Sequence, residues 1–77
     1  MKIEILGTGC SKCQALTLHV KEAVAKKGMF AQVEKVEDIM KIMAYGITST
    51  PALVIDGTVV SSGKLLSVDE IVVFLGS

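Results

Sequence analysis

The hydrophobic pattern of this chain changes from strand to helix and back to strand within its first 36 residues. Residues 2–6 alternate charged and large aliphatic side chains, which is typical of a half-buried strand. From Ser11 apolar residues recur at helical spacing until Gly28, a residue that commonly ends helices. Residues 30–36 show no helical stripe, and this favours a second strand. A strand, a helix and a strand in this order predict a right-handed crossover between parallel strands.

The second half of the chain predicts a short helix, a hairpin and a final helix. Acidic residues at 37 and 38 open the short helix, Gly46 ends it, and its predicted apolar side comprises Ile39, Met40, Met43 and Ala44. Residues 52–55 and 58–61 flank Asp56-Gly57, the two-residue turn that most favours a β-hairpin. A capping box over residues 67–70 begins a last helix that runs through Leu75 and ends at Gly76.

These elements predict an α/β fold of order β-α-β-α-β-β-α, with a four-stranded mixed sheet flanked by three helices. The 77 residues fit a single domain, residues 1–77, because two independent cores need a longer chain. The hydrophobic share of 51% is enough for a dense core in so few residues. Three methionines, Met29, Met40 and Met43, are interpreted as pliable core filler rather than as soft-metal ligands.

Charge and aromatic content argue against several kinds of partner. Eight lysines balance eight acidic residues and arginine is absent, so no basic surface for nucleic acid or for a membrane is expected. Aromatic residues make up 4% of the chain, too few for a base-stacking surface. No apolar run approaches the ~20 residues that span a bilayer. The first seven residues resemble a strand rather than a secretory leader, so we expect a cytoplasmic protein. We also expect a monomer.

Cys10 and Cys13 are the two cysteines, and they form a Cys-x-x-Cys pair between the first strand and the first helix. Two thiols are too few for a disulfide scaffold or a closed four-thiolate zinc site, and His19 lies too far along the helix to join them. Unpaired N–H groups at a helix start stabilise a thiolate. We therefore expect Cys10 to be an exposed nucleophile and Cys13, one turn further, to be shielded. Lys12 adds positive charge if its side chain folds back, but a solvated lysine on the helix surface is the favoured interpretation.

A second motif, Thr50-Pro51, immediately precedes the predicted strand 52–55. A proline can open a strand because its first N–H need not pair. From the residues alone, an ordinary trans bond remains the common alternative, because cis bonds are about 5–6% of X-Pro bonds.

The two motifs together resemble the thioredoxin/glutaredoxin superfamily, and most closely its small single-domain, thioredoxin-like redox-active disulfide proteins. The resemblance rests on residues 3–14, which include Cys10 and Cys13, and on residues 46–57, which include Thr50-Pro51 and the Asp-Gly turn. The order of elements extends the likeness over the whole chain. The fold that this resemblance implies is thioredoxin-like.

By the same resemblance, Cys10 is the nucleophile, Cys13 the resolving cysteine and Pro51 a cis-proline beside the disulfide. The Thr50 backbone pairs with an extended substrate segment, and Gly9, Ser11 and Lys12 border the substrate. The implied activity is that of a thiol–disulfide oxidoreductase, a dithiol electron carrier that reduces protein disulfides through a mixed disulfide. No cofactor and no metal are implied, and the partners are a disulfide-containing protein and an upstream dithiol reductase.

The chain also departs from the larger family members. Gly9 stands where thioredoxins place a tryptophan, and the glutathione-binding segment of glutaredoxins has only a faint echo at residues 61–64. Glu4 lies six residues before Cys10, where thioredoxins place a buried proton-accepting aspartate, but a solvent-facing strand residue is the favoured interpretation. His19 is expected on the helix surface, and Tyr45 is expected to pack at a helix end.

Two other functions remain open at this point. Two thiolates also suit Cu(I), although soft-metal chaperone domains follow β-α-β-β-α-β order and usually carry Met where Thr8 stands. A non-catalytic interaction module with the cysteine pair as a redox switch is the third hypothesis. Nucleotide binding is not supported, because Gly7-x-Gly9 lacks a third glycine and the chain is too short for a Rossmann domain.

Overall fold

The computed structural model describes residues 1–8 and 11–76 of the chain. Within them, strands and helices follow the predicted order β-α-β-α-β-β-α. Their bounds are β1 Lys2–Leu6, α1 Ser11–Lys27, β2 Gln32–Val36, α2 Ile39–Ala44, β3 Ala52–Ile55, β4 Thr58–Ser62 and α3 Val68–Gly76. The four strands form one mixed sheet in the order β2-β1-β3-β4, which confirms the predicted fold class.

Strand β1 lies in the middle of the sheet and sets its geometry. It pairs in parallel with β2, and Ile5 lies beside Lys35 in that register. It pairs antiparallel with β3, and Leu6 lies beside Ala52. The parallel pair is the crossover that the strand–helix–strand order predicted, and α1 is its connection.

The Asp-Gly turn between β3 and β4 has the backbone that tight hairpins require. Asp56 has a φ of 50° and Gly57 a φ of 83°, so both central residues are left-handed, as in a type I′ turn. Ile55 pairs with Thr58 directly across the turn. The Asp56 carboxylate also accepts a hydrogen bond of 2.9 Å from the Lys2 amide, which ties the hairpin to the start of β1.

The two faces of the sheet carry separate cores because side chains alternate along each strand. Helices α1 and α3 cover one face, whose buried residues are Ile3, Ile5, Leu16, Val20, Ala23, Leu53, Leu66 and Ile71. Helix α2 covers part of the other face, whose buried residues are Leu6, Val36, Ile42, Ala52 and Val54. Among the described residues, no helix is both long and apolar enough to cross a membrane.

Strand β2 begins two residues later than the sequence pattern predicted. The Gln32 amide donates a 2.9 Å hydrogen bond to the carbonyl of Met1, the residue before β1. Gln32 is also the first residue of β2 that pairs with β1, opposite Lys2. Residues before this point have no facing strand, because β1 itself begins at Lys2. Phe30 accordingly lies outside the sheet and is fully exposed.

The prediction that the methionines of the short helix fill the core is wrong. Met40 and Met43 are 75% and 64% exposed, whereas Ile42 is 6% exposed. Ile39 and Ala44 are exposed too, so the predicted apolar side faces water. With six residues, α2 spans less than two turns, and its inward position is taken by Ile42 alone. Tyr45 caps the helix and packs beside Ile42, as predicted.

His19 is half-buried and holds the loop before α3, which the surface prediction missed. Its Nδ1 donates a hydrogen bond of 2.8 Å to the Leu66 carbonyl. Leu66 itself is 2% exposed, so its carbonyl lies where water has little access and a protein donor is favoured. The next residue begins the predicted capping box: the Glu70 amide donates to Ser67 Oγ, and the Ser67 amide donates to Glu70 Oε1, both at 3.2 Å.

Candidate functional site

Three strand ends meet at the edge of the sheet where α1 begins. Because β1 and β2 run in parallel and Leu6 pairs with Val36, the chain leaves both strands at the same edge. Because β3 runs the other way and Ala52 pairs with Leu6, Pro51 enters the sheet there as well. The register therefore brings Cys13, in the first turn of α1, to the Thr50-Pro51 segment.

Gly7, the residue after β1, lies directly against the side chain of Cys13. A Cβ atom placed on Gly7 would collide with the sulfur of Cys13 and would lie 3.2 Å from its Cβ. The same atom would lie 3.9 Å from the Cβ of Thr50. The missing side chain at Gly7 thus provides the space in which the thiol of Cys13 lies beside the Thr50-Pro51 segment.

Cys13 is buried at this edge, with 5% of its surface exposed. It faces the sheet from α1, and the Thr17 hydroxyl donates a 2.9 Å hydrogen bond to its carbonyl. Ser11 and Lys12, which precede it in the first turn, are exposed. Gly9 and Cys10, the other predicted site residues of this segment, lie outside the described residues.

The Thr50-Pro51 segment contains a cis peptide bond and is hydrogen-bonded to the residue that follows β4. The Thr50–Pro51 peptide bond is cis. Pro51 is buried and its carbonyl accepts a 2.8 Å hydrogen bond from the Gly63 amide. Thr50 is exposed beside it. The segment therefore presents an exposed residue next to a buried proline, within reach of the edge where Cys13 lies.

Glu4 faces the other side of the sheet from Cys13. Strand alternation places Glu4 with Leu6, on the α2 side, while Ile5 points toward α1. The Tyr45 hydroxyl donates a 2.8 Å hydrogen bond to Glu4 Oε1. Glu4 is half-buried in a cavity of about 360 Å³ that Lys41, Ala44 and Tyr45 also line. It is therefore neither the free surface residue that was favoured nor a neighbour of the thiol.

The hydrogen bond to Glu4 changes the acidity of Tyr45. Donation to a carboxylate favours the protonated phenol, and this raises the pKa of Tyr45 above its usual value. Partial removal from water and the negative charge of Glu4 act in the same direction. The pair is thus a structural contact between β1 and the end of α2.

The charged groups that line a cavity with Cys13 come from β2 and from the residue after it, and the sequence analysis missed them. Lys35 and Glu37 line a small cavity together with Cys13 and Gly7. The alternation of residues 35 and 37 was visible in the sequence. The sequence does not show which side of the sheet these two residues face, because that depends on the register between β1 and β2.

Among residues 1–8 and 11–76, no cluster of three or more His, Cys, Asp or Glu side chains is placed to hold a metal ion. Two cysteines alone would be the donors for Cu(I), and one of them, Cys10, lies outside this part of the chain.

Comparison with known proteins decides the family. A family profile described as a thioredoxin domain matches residues 1–76. The chain belongs to the thioredoxin family. A protein named thioredoxin from Methanothermobacter thermautotrophicus is 41% identical over 71 residues, which cover 92% of this chain and 92% of that protein. A second thioredoxin, from Methanocaldococcus jannaschii, is 41% identical over 69 residues, or 90% of this chain and 79% of that protein.

This membership confirms the resemblance drawn from the two sequence motifs. It also places the chain in a family of thiol–disulfide oxidoreductases. Because a thioredoxin-family chain carries electrons on its own sulfurs, the family membership favours an activity without a bound cofactor.

Proposed function

We propose that this thioredoxin-family chain is a small dithiol electron carrier that reduces protein disulfides with Cys10 and Cys13. The observation that carries the proposal is the position of Cys13, buried against Gly7 beside the Thr50-Pro51 segment. A buried thiol beside an exposed segment suits a resolving cysteine, because a resolving cysteine must react with the neighbouring cysteine rather than with groups in solution.

In the proposed reaction, the thiolate of Cys10 attacks one sulfur of a substrate disulfide. A bond forms between Cys10 and that sulfur, the substrate S–S bond breaks, and the second substrate sulfur leaves and takes up a proton. Cys13 then loses its proton and attacks Cys10. The Cys10–Cys13 disulfide forms, the mixed disulfide breaks, and the first substrate sulfur leaves as a thiol. Two electrons and two protons pass from the protein to the substrate.

Substrate binding is proposed to use backbone pairing more than side-chain contacts. Thr50 is exposed next to Pro51, and an extended substrate segment that pairs with its backbone would place a disulfide at the cysteines. Gly9, Ser11 and Lys12 would border the same segment. This mode needs no particular substrate sequence, which fits a carrier with several protein substrates.

The remaining features of the proposal follow from the chemistry and the composition. The redox-active disulfide serves as the electron store, so no cofactor or metal takes part. A dithiol reductase must return the protein to its reduced form after each cycle. We propose a monomer of one domain that works in the cytoplasm, where thiols are kept reduced, without nucleic acid or membrane partners.

Reduction of insulin by the protein in the presence of a dithiol tests this function. Cys10→Ser should abolish the acceleration, whereas Cys13→Ser, mixed with insulin without the dithiol, should leave a stable mixed disulfide that mass spectrometry detects as an added substrate chain. Ala25→Ser, at an exposed position of α1, is the control and should reduce insulin at the wild-type rate.

Insulin reduction by Cys10→Ser at the wild-type rate would refute the proposal. Stoichiometric Cu(I) binding with no disulfide exchange would favour the soft-metal alternative. A partner that binds only one redox state, with no turnover, would favour a redox-switched interaction module.

A further inference from the structure

Helix α2 exposes apolar side chains on the face that a surface helix usually fills with polar residues. Ile39, Met40 and Met43 are each at least 60% exposed, and Ile42 is the single buried side chain of this helix. We propose that this apolar patch, defined as Ile39, Met40 and Met43, docks a large apolar side chain that lies near the disulfide of a substrate protein. The inference rests on the proposed function and names the class of substrate that the function favours.

The three side chains of the apolar patch form one continuous surface. Ile39 and Met43 are four residues apart, and Met40 and Met43 are three apart, the spacings at which helical side chains are neighbours. Lys41, the charged residue of α2, points about 160° away from Met43 around the helix axis. It lines the cavity beside Glu4 instead. Within α2, which the structure describes completely, no charged side chain interrupts the patch.

The apolar patch begins close to the buried thiol. Glu37 lines the small cavity together with Cys13. Ile39 follows two residues later, so its Cα atom lies within about 7 Å of the Cα atom of Glu37. Between them, Asp38 accepts a 2.9 Å hydrogen bond from the Met40 amide, which fixes the first turn of α2. The start of the patch is therefore held beside the edge where the thiol reacts.

The chain segment that contains α2 also ends at this edge. Val36, before α2, and Ala52, after it, both pair with Leu6, so residues 37–51 leave the sheet and return to it at the same place. Thr50 is exposed at the end of this segment. A substrate that reaches both the thiol and Thr50 therefore meets the start of α2 as well. The apolar patch is continuous with the proposed substrate surface.

The size of the apolar patch fits a transient partner better than a stable second copy of the chain. A stable interface takes about 20–30 residues and about 800 Å² from each partner, and three side chains supply a small part of this. Complexes between redox proteins are smaller and short-lived. The patch therefore adds contact to a complex that forms at the thiol, and does not hold a complex by itself.

The side chains of the apolar patch determine the chemistry of the partner. Methionine is unbranched and polarizable, so Met40 and Met43 adapt to apolar groups of different shape. A charged group of the substrate would lose water at this surface without gaining a partner. About three residues of extended chain span the ~10 Å from the thiol to the patch. The favoured substrates are thus protein disulfides with a large apolar residue within about three positions of a cysteine.

Two peptides of equal charge test this selectivity. Each contains one cysteine in a mixed disulfide with a nitrobenzoate thiol, and the second and third positions on either side are leucine in one peptide and glutamine in the other. Cys10 of the reduced protein attacks the peptide sulfur, and the coloured nitrobenzoate thiolate leaves. Cys13 then attacks Cys10, the Cys10–Cys13 disulfide forms, and the peptide leaves as a thiol.

The rate of coloured release gives a second-order rate constant for each peptide. Dividing it by the rate constant of the same peptide with a simple dithiol removes differences between the peptides themselves. The wild type should then react at least about fivefold faster with the leucine peptide, as expected from partial burial of a leucine side chain.

Variants of α2 show whether the apolar patch is the source of this preference. Met40→Gln combined with Met43→Gln keeps the side-chain length and the helix propensity, and should bring the ratio of the two rate constants close to one. Met40→Leu combined with Met43→Leu should retain it. Damage to the fold or to the thiols would lower both rate constants together. Val73→Thr, at a 63% exposed apolar position of α3, is the matched control and should keep the wild-type ratio.

Equal rate constants of the wild type for the two peptides would overturn the inference and leave the proposed function intact. A preference that persists in the double glutamine variant would also overturn it. If sedimentation shows a wild-type dimer that this variant converts to a monomer, the patch binds a second copy and the inference is wrong. A wild type that keeps the peptide attached and forms no Cys10–Cys13 disulfide, as seen by mass spectrometry, would refute the proposed function itself.

Discussion

Gly7 follows β1 and lies against the sulfur of Cys13, and its conformation does not require glycine through a positive φ. The constraint at this position is therefore one of space alone. A side chain there must displace Cys13 or the first turn of α1. Because Cys13 is buried against the sheet, the surrounding atoms have little room to move.

The first prediction concerns this close contact. Gly7→Ala should lower the free energy of unfolding by about 1–3 kcal/mol, the usual cost of forcing an extra carbon into a packed core. Urea denaturation measures the change. Thr8→Ala, at the exposed neighbouring residue, should alter the unfolding free energy little. Equal stability of Gly7→Ala and the wild type would show that the thiol is not held against Gly7.

The second prediction uses the single tyrosine of the chain, which makes its titration directly observable by ultraviolet absorbance. The hydrogen bond from Tyr45 to Glu4 raises the pKa of Tyr45, so the phenol should ionise at higher pH than a tyrosine in a peptide. Glu4→Gln removes the carboxylate and should bring the midpoint down. Glu34→Gln, on the neighbouring strand, is the matched control and should leave it nearly unchanged.

This raised pKa also has a consequence for stability. The folded state holds the Tyr45 proton more tightly than the unfolded state does. The stabilising contribution of the Tyr45–Glu4 hydrogen bond is therefore fully present below the pKa that Tyr45 has in the unfolded chain. It is lost as pH rises through the folded pKa. Glu4→Gln should weaken this alkaline loss of stability.

At the level of elements, α3 depends on the reciprocal hydrogen bonds between Ser67 and Glu70. The backbone amide of Ser67 donates to the Glu70 carboxylate, and this lowers the pKa of Glu70. The Lys64 side chain, 3.2 Å from Glu70 Oε2, adds to the effect. The helix packs against α1 through Ile71, which is fully buried, so its start affects the core.

The third prediction concerns this helix start. Ser67→Ala should cost about 1 kcal/mol of stability, the typical cost of losing an N-cap. Because the pKa of Glu70 is lowered in the folded state, the stability that its carboxylate contributes is present above the pKa of the unfolded chain. This stability is lost as pH falls through the pKa of the folded state. Glu70→Gln should therefore flatten the acidic part of the stability–pH curve. Asp69→Asn, in the same turn but outside the capping pair, is the control.

Helix α2 illustrates how a short element is positioned by tertiary contacts. Asp38 caps its start by accepting a 2.9 Å hydrogen bond from the Met40 amide, and Ile42 is its single buried side chain. The exposed methionines follow from this arrangement, since one face of a six-residue helix touches the sheet along a single turn.

At the level of the whole molecule, stability depends on a few fully buried side chains. The chain has 77 residues, and domains of this size are stabilised by about 5–15 kcal/mol in total. The larger core lies between the sheet and helices α1 and α3. Loss of one large side chain from this core therefore removes a substantial part of the total.

The fourth prediction compares two leucines of α1. Leu16 is fully buried and Leu18 is 61% exposed, so the same substitution tests burial within one helix. Leu16→Ala should lower the free energy of unfolding by about 2–5 kcal/mol, and Leu18→Ala by much less. Urea denaturation monitored by circular dichroism measures both. Similar losses for the two variants would contradict the assignment of the core.

The sequence by itself determined the order of the elements, the Asp56-Gly57 turn and the place of Cys13 in the first turn of a helix. Each of these depends on local chemistry: side-chain periodicity, the left-handed backbone of the turn, and helix capping by nearby residues. The same is true of the capping box at Ser67, which the structure contains as predicted.

Only the tertiary structure decided which charged groups lie beside Cys13. The sequence offered Glu4 as a candidate but favoured a solvent-facing position for it; in the structure, alternation along β1 places Glu4 on the α2 face, and the register between β1 and β2 brings Lys35 to the cavity that Glu37 also lines. A shift of one residue in a strand pair moves every side chain to the other face, and no local pattern specifies that shift. The exposure of Met40 was likewise decided by packing, because the sheet contacts only one turn of α2.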